Sequence, residues 1–92
     1  MRRAARKDAN HNEIADAFRK FGCSVLDLSR VGEGCPDMLL SISNKTALVE
    51  VKTKTGRMTA AQKKFLTDWR GRSFVVRDIG QVPSVVKALR GF

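Results

Sequence analysis

Gly34-Cys35-Pro36-Asp37-Met38-Leu39-Leu40-Ser41-Ile42-Ser43-Asn44-Lys45-Thr46-Ala47-Leu48-Val49-Glu50-Val51-Lys52 is the stretch on which the fold turns. Its middle, Ser43-Asn44-Lys45-Thr46, has the chemistry of a chain reversal, because Asn and Ser tolerate and hydrogen-bond the backbone of tight turns. Residues 37–43 alternate imperfectly and residues 47–53 are β-rich, so the whole stretch predicts a hairpin. Side chains alternate across a strand, so Glu50 and Lys52 share a face with Leu48, while Val49 and Val51 occupy the other. With a two-residue loop at Asn44-Lys45, Asp37 falls opposite Lys52 and diagonal to Glu50, with diagonal Cα atoms about 7–8 Å apart. A loop one residue longer would turn Asp37 to the wrong face.

Two carboxylates and a lysine on a half-buried sheet face are costly, because like charges raise one another's pKa and burial disfavours ionisation. A hard divalent cation such as Mg²⁺ offsets that cost and takes oxygen ligands. Asp37 and Glu50 are the candidate ligands, with the main-chain carbonyl of Val51 as a third. Such a cation activates water and offsets charge on a phosphodiester. Lys52 would position or deprotonate that water, or stabilise the phosphorane charge. A Glu-x-Lys pair alone is also what an exposed, partly paired strand face looks like. Joined to Gly-x-Pro-Asp on the neighbouring strand of a basic chain, it favours chemistry.

Working outward, Ile14, Ala17, Phe18 and Phe21 recur at three- and four-residue steps and predict a helix over residues 8–21, with Gly22 as its stop. Residues 24–28 read as a strand, and the glycine-rich residues 30–36 as a loop. Downstream, Thr59 opens a helix with an apolar stripe of Met58, Ala61, Phe65, Leu66 and Trp69, closed by Gly71. Residues 73–77 predict a strand and residues 82–89 a last helix. The expected class is α/β, in the order α-β-β-β-α-β-α, with a mixed central sheet flanked by helices. Residues 1–7 are expected to be a flexible basic arm and residues 8–92 the folded domain. Trp69 and the phenylalanines are assigned to the core, and the lone His11 to a solvated helix start.

The 92 residues suffice for one domain. Eighteen Lys and Arg against nine Asp and Glu leave a net charge of +9, which calls for a polyanionic partner. Nucleic acid precedes a membrane here, since no stretch approaches the roughly 18 apolar residues of a spanning helix. The basic start is followed by Asp8-Ala9-Asn10-His11-Asn12 rather than an apolar run, so no signal peptide is predicted and the cytoplasm is the expected compartment. Cys23 and Cys35 form no Cys-x-x-Cys, which signals neither a zinc site nor a disulfide framework; both read as buried or semi-buried thiols. Arg30, Lys54, Arg57, Lys63 and Lys64 are the candidates to line a DNA groove leading to the carboxylates.

The sequence resembles the PD-(D/E)xK nuclease superfamily and, within it, the VRR-NUC family in its small stand-alone viral and prophage form. Glu13, Gly34-x-Pro36-Asp37, Glu50-Val51-Lys52 and Gln62 carry the resemblance. It implies a Mg²⁺- or Mn²⁺-dependent endodeoxyribonuclease with no small-molecule cofactor and no membrane. For stand-alone members it implies a homodimer that cuts branched DNA at four-way (Holliday) junctions, in a bacterial or phage-infected cell. It also adds Glu13 and Gln62 to the catalytic set. Asn10-x-x-Glu13 and Thr59-x-x-Gln62 are capping-box patterns as well, so both residues have a structural reading beside the catalytic one. The alternatives are a less selective nuclease on flaps, single strands or duplex, and a non-catalytic basic DNA-binding protein.

Overall fold

Ser43 and Asn44, with φ of 54° and 62°, form the turn of the central hairpin. Two consecutive left-handed residues match the right-handed twist of the flanking strands. The computed structural model describes residues 10–91, so the predicted basic arm lies outside the described residues. The hairpin joins β2 (Met38–Ile42) to β3 (Lys45–Val51), pairing Met38 with Val49, Leu39 with Leu48 and Leu40 with Ala47. The loop is therefore two residues long, as expected, but one position earlier than Asn44-Lys45. Continuing the ladder by one position sets Asp37 against Glu50, not Lys52. Parity survives the shift because the loop length is still even.

β1 (Ser24–Asp27) pairs antiparallel with β2, and β4 (Ser73–Val76) pairs parallel with β3, giving the sheet order β1-β2-β3-β4. The parallel pair needs a crossover, supplied by α2 (Ala60–Asp68). α1 (His11–Lys20) precedes the sheet, and a 3-10 turn (Ile79–Gln81) leads into α3 (Val82–Gly91). The architecture is mixed α/β in the order α-β-β-β-α-β-α. Among the described residues no helix is long and apolar enough to cross a membrane.

One face of the sheet carries the core. Met38, Leu40, Ala47, Val49, Val51 and Val76 pack there against Ile14, Ala15 and Phe18 of α1 and Val82, Val85, Val86 and Leu89 of α3. Each fully buried side chain of this size contributes roughly 1.5–3 kcal/mol relative to exposure. The opposite face holds Leu39, Leu48, Glu50 and Lys52 and is met by α2. That helix has no buried residue, and Trp69, just past its end, keeps 44% of its surface exposed. Trp69 is thus not a core residue. α2 meets this face in its first turn, where Gln62 bonds Glu50.

His11 also departs from expectation. It is 2% exposed, because the stripe His11, Ile14, Ala15 and Phe18 turns into the core at helical spacing. Its Nε2 is 4.0 Å from Asp27 Oδ1, and neither ring nitrogen has a hydrogen-bond partner among the described residues. Cys23 is a buried free thiol and Cys35 a partly buried one, as the sequence suggested.

Candidate active site

Asp37 directly precedes β2, and its Oδ2 accepts a 2.7 Å hydrogen bond from the backbone N–H of Val51. This bond crosses the hairpin and fixes the carboxylate beside the last turn of the β3 pleat. Glu50, on the face away from the core, is only 2% exposed. Lys52 is 9% exposed, with its Nζ 3.8 Å from Glu50 Oε2. The Lys52 backbone is held from both sides: its N–H donates to Val76 O (3.0 Å), and its carbonyl accepts from Asn10 Nδ2 (3.3 Å). Asp37, Glu50 and Lys52 therefore converge on one face at the end of the central strands.

Gln62 reaches the same group from α2. Its Nε2 donates to Glu50 Oε2 at 3.2 Å. Its Oε1 accepts from the Thr59 N–H at 2.9 Å, and its own N–H donates to Thr59 Oγ1 at 3.1 Å. Gln62 thus closes the capping box and bonds Glu50 at once, since a carboxamide has a donor end and an acceptor end. Gly34 sets the height of the helix. Its φ is +80°, and a Cβ there would lie 2.4 Å from the Ala61 carbonyl oxygen, so the first turn of α2 sits on bare backbone.

Arg77 was not anticipated. Its Nη1 donates to Thr53 O (2.8 Å) and Gly56 O (2.7 Å), tying down the loop between Lys52 and α2. A lone arginine after a strand carries no local signal of this; only the parallel docking of β4 on β3 brings the guanidinium to that loop.

Glu13 stands apart. It is exposed and lines a groove with Asp16, Lys20, Phe21 and Ile79. At about 100° per residue it lies roughly 200° around the helix from His11, on the far side from the buried stripe. The Asn10 side chain makes no cap, bonding Lys52 O and Arg77 O instead. The Asn10 capping box is not formed.

Cys35 feels both carboxylates. Burial raises the thiol pKa first, and the charges of Glu50 and Asp37 raise it further. The protonated thiol makes a poor metal ligand. Among the described residues no group of three or more His, Cys, Asp or Glu is placed to hold a metal. The side-chain donors are Asp37 and Glu50, with main-chain carbonyl oxygen beside them. That set fits Mg²⁺ or Mn²⁺, which binds through one or two carboxylates and completes its shell with water and substrate phosphate. It does not fit a closed zinc site.

Arg30, Lys54, Arg57 and Lys63 are exposed, the first in the loop before Gly34, the next two between β3 and α2, and Lys63 on α2. Lys64 is exposed too, but its Nζ is 2.9 Å from Asp68 Oδ2, a bond that raises its pKa and occupies its charge.

The family model for the VRR-NUC domain matches residues 2–79, a span that contains Asp37, Glu50, Lys52 and Gln62. The chain belongs to the VRR-NUC family. VRR-NUC is a nuclease family that acts on DNA and generally uses divalent metal ions. The match ends before α3, which completes the core on the other face of the sheet. No curated protein matches the chain.

Proposed function

We propose that this VRR-NUC domain is a Mg²⁺- or Mn²⁺-dependent, structure-specific endodeoxyribonuclease that hydrolyses phosphodiesters in branched DNA. The supporting observation is the convergence of Asp37, Glu50 and Lys52, with Lys52 Nζ 3.8 Å from Glu50 Oε2 on a nearly dry sheet face. Asp37, Glu50 and the Val51 carbonyl would hold the cation. When bound it supplies a water of lowered pKa and offsets charge on the scissile phosphate.

The chain's own residues do the rest. Lys52, held by Glu50 and by backbone bonds on both sides, presents an ammonium to the phosphate oxygens as charge builds on them. Gln62 holds Glu50 in one rotamer through its amide, which keeps the carboxylate aimed at the cation position. Arg77 fixes the loop that carries Lys54 and Arg57, whose charges, with Arg30 and Lys63, meet the DNA backbone. Glu13, one helical turn after the Asn10 that bonds the Lys52 carbonyl, joins the catalytic set on the family resemblance.

The substrate is taken as a four-way junction and the active form as a homodimer, because such a junction has two-fold symmetry and needs two cuts. The cell compartment is that of a bacterial or phage-infected cytoplasm. Cleavage of junction, flap and linear duplex, compared in Mg²⁺ and in Mn²⁺, tests this directly. Equal rates on linear duplex would sink the junction preference. Asp37→Ala and Lys52→Ala should each abolish cutting while DNA binding persists; cutting that survives both would sink the nuclease assignment of these residues. Light scattering at working concentration should return the mass of a dimer.

A further inference from the structure

The sheet face that carries the carboxylates continues past them into a groove. Leu39 and Leu48 are cross-strand partners, one pleat from the Asp37 and Glu50 positions and on the same face. With Trp69, Arg70, Gly71 and Thr46 they line a cavity of about 440 Å³, within the usual range for small-molecule sites. Leu39 and Leu48 give it apolar side chains, Trp69 an aromatic one, and Arg70 and Arg72 positive charge.

That ring is held in place before anything binds. Trp69 stacks on Phe65, with centroids 5.7 Å apart and planes 18° from parallel. Its edge lies on Gly71, where a Cβ would fall 2.8 Å from Trp69 Nε1. The ring is nevertheless 44% exposed. An aromatic fixed by its own neighbours but left open loses little entropy on stacking with a ligand. Two residues along a strand span about 7 Å. That is roughly two stacked nucleotide rises of ~3.4 Å, or one step of a strand pulled out of its stack.

We propose that this groove receives an unpaired nucleobase of the DNA strand, stacked on Trp69 with Arg70 against the adjacent phosphate, next to the scissile position. The inference rests on the nuclease reading for the identity of the strand that enters, and it narrows the substrate to DNA with an unpaired base beside the cut. A nucleobase supplies what the groove is shaped for, a flat apolar face bearing an anion at its edge. The chain's +9 charge favours such a ligand over a second copy of itself.

Trp69 is the only tryptophan and there is no tyrosine, so intrinsic fluorescence reports this site alone. In EDTA, which prevents cutting, a short oligodeoxythymidine should quench that fluorescence. An abasic strand of equal length should bind, by anisotropy of an end label, without quenching. Trp69→Ala should weaken binding of the single strand by roughly tenfold or more, in line with base–aromatic stacking, and leave blunt duplex unchanged; Trp69→Phe should retain most of the affinity. Equal quenching by the abasic strand, or equal weakening of both DNAs, overturns the proposal. So does a fluorescence shift driven by protein concentration alone, which would mean that a second copy covers the groove. Since binding is read without metal, quenching by a chain that cuts nothing in Mg²⁺ tells against the nuclease reading and leaves the base pocket standing.

Discussion

Gln62 donates to Glu50 through Nε2 at 3.2 Å while its Oε1 closes the cap of its own helix at 2.9 Å. One side chain thus couples the position of α2 to the orientation of the buried carboxylate. Thr59 shares the cap but not the carboxylate, so the two functions can be separated. Thr59→Ala should cost about 1 kcal/mol in urea unfolding and change cleavage less than threefold. Gln62→Ala should cost a similar amount of stability and lower cleavage tenfold or more, about 1.4 kcal/mol of transition-state stabilisation. Matching losses of cleavage in both variants would mean that the cap alone matters.

Gly34 supports the same helix from below. Alanine there meets the Ala61 carbonyl and an unfavourable φ together. Gly34→Ala should displace the first turn of α2, speeding amide exchange there and removing most cleavage. Protection of α1 and α3, which pack on the far face, should be unchanged. Uniform loss of protection would show that α2 is integral to the main core.

Cys35 titrates against the carboxylates. Its folded pKa is raised, so the thiolate is disfavoured in the native state. Stability from this group is complete below the unfolded thiol pKa of about 8.5 and declines as pH rises through that range. The pH midpoint of iodoacetamide modification should lie higher in the folded chain than in urea. Glu50→Gln should lower the folded midpoint; an unchanged midpoint would place Glu50 further from Cys35 than the structure has it.

Lys63 and Lys64 are adjacent but not equivalent. Lys64 is engaged with Asp68 on its own helix. Lys63→Ala should weaken DNA binding and reduce the salt slope by about 0.9 if one phosphate contact is lost. Lys64→Ala should do less, because its charge is already shared. Salt titrations of metal-free binding, run on both variants, decide the order.

The residues that were misread share one cause. His11 and Trp69 were placed by local pattern, which says which side chains share a face but not which face another element covers. His11 repeats with Ile14 and Phe18, yet it is buried only because α1 lies across the strand ends. Trp69 follows Phe65 at helical spacing and stacks on it, yet the ring stays 44% exposed. Arg77 gives no periodic signal, and its acceptors are the carbonyls of Thr53 and Gly56, far away in the chain.

By itself the sequence determined the element order, the hairpin and hence a common face for Glu50 and Lys52; it put Asp37 on that face only on condition of an even loop, which the structure meets. Those follow from the period of two along a strand and from turn chemistry, both of which are local. Tertiary structure alone decided that Asp37 faces Glu50 and that Gln62 serves cap and carboxylate together. It also decided that Trp69 opens beside the site. Each depends on where a helix docks on the sheet. That is set by packing between residues distant in the chain, such as Gly34 under Ala61, which no short window of sequence contains.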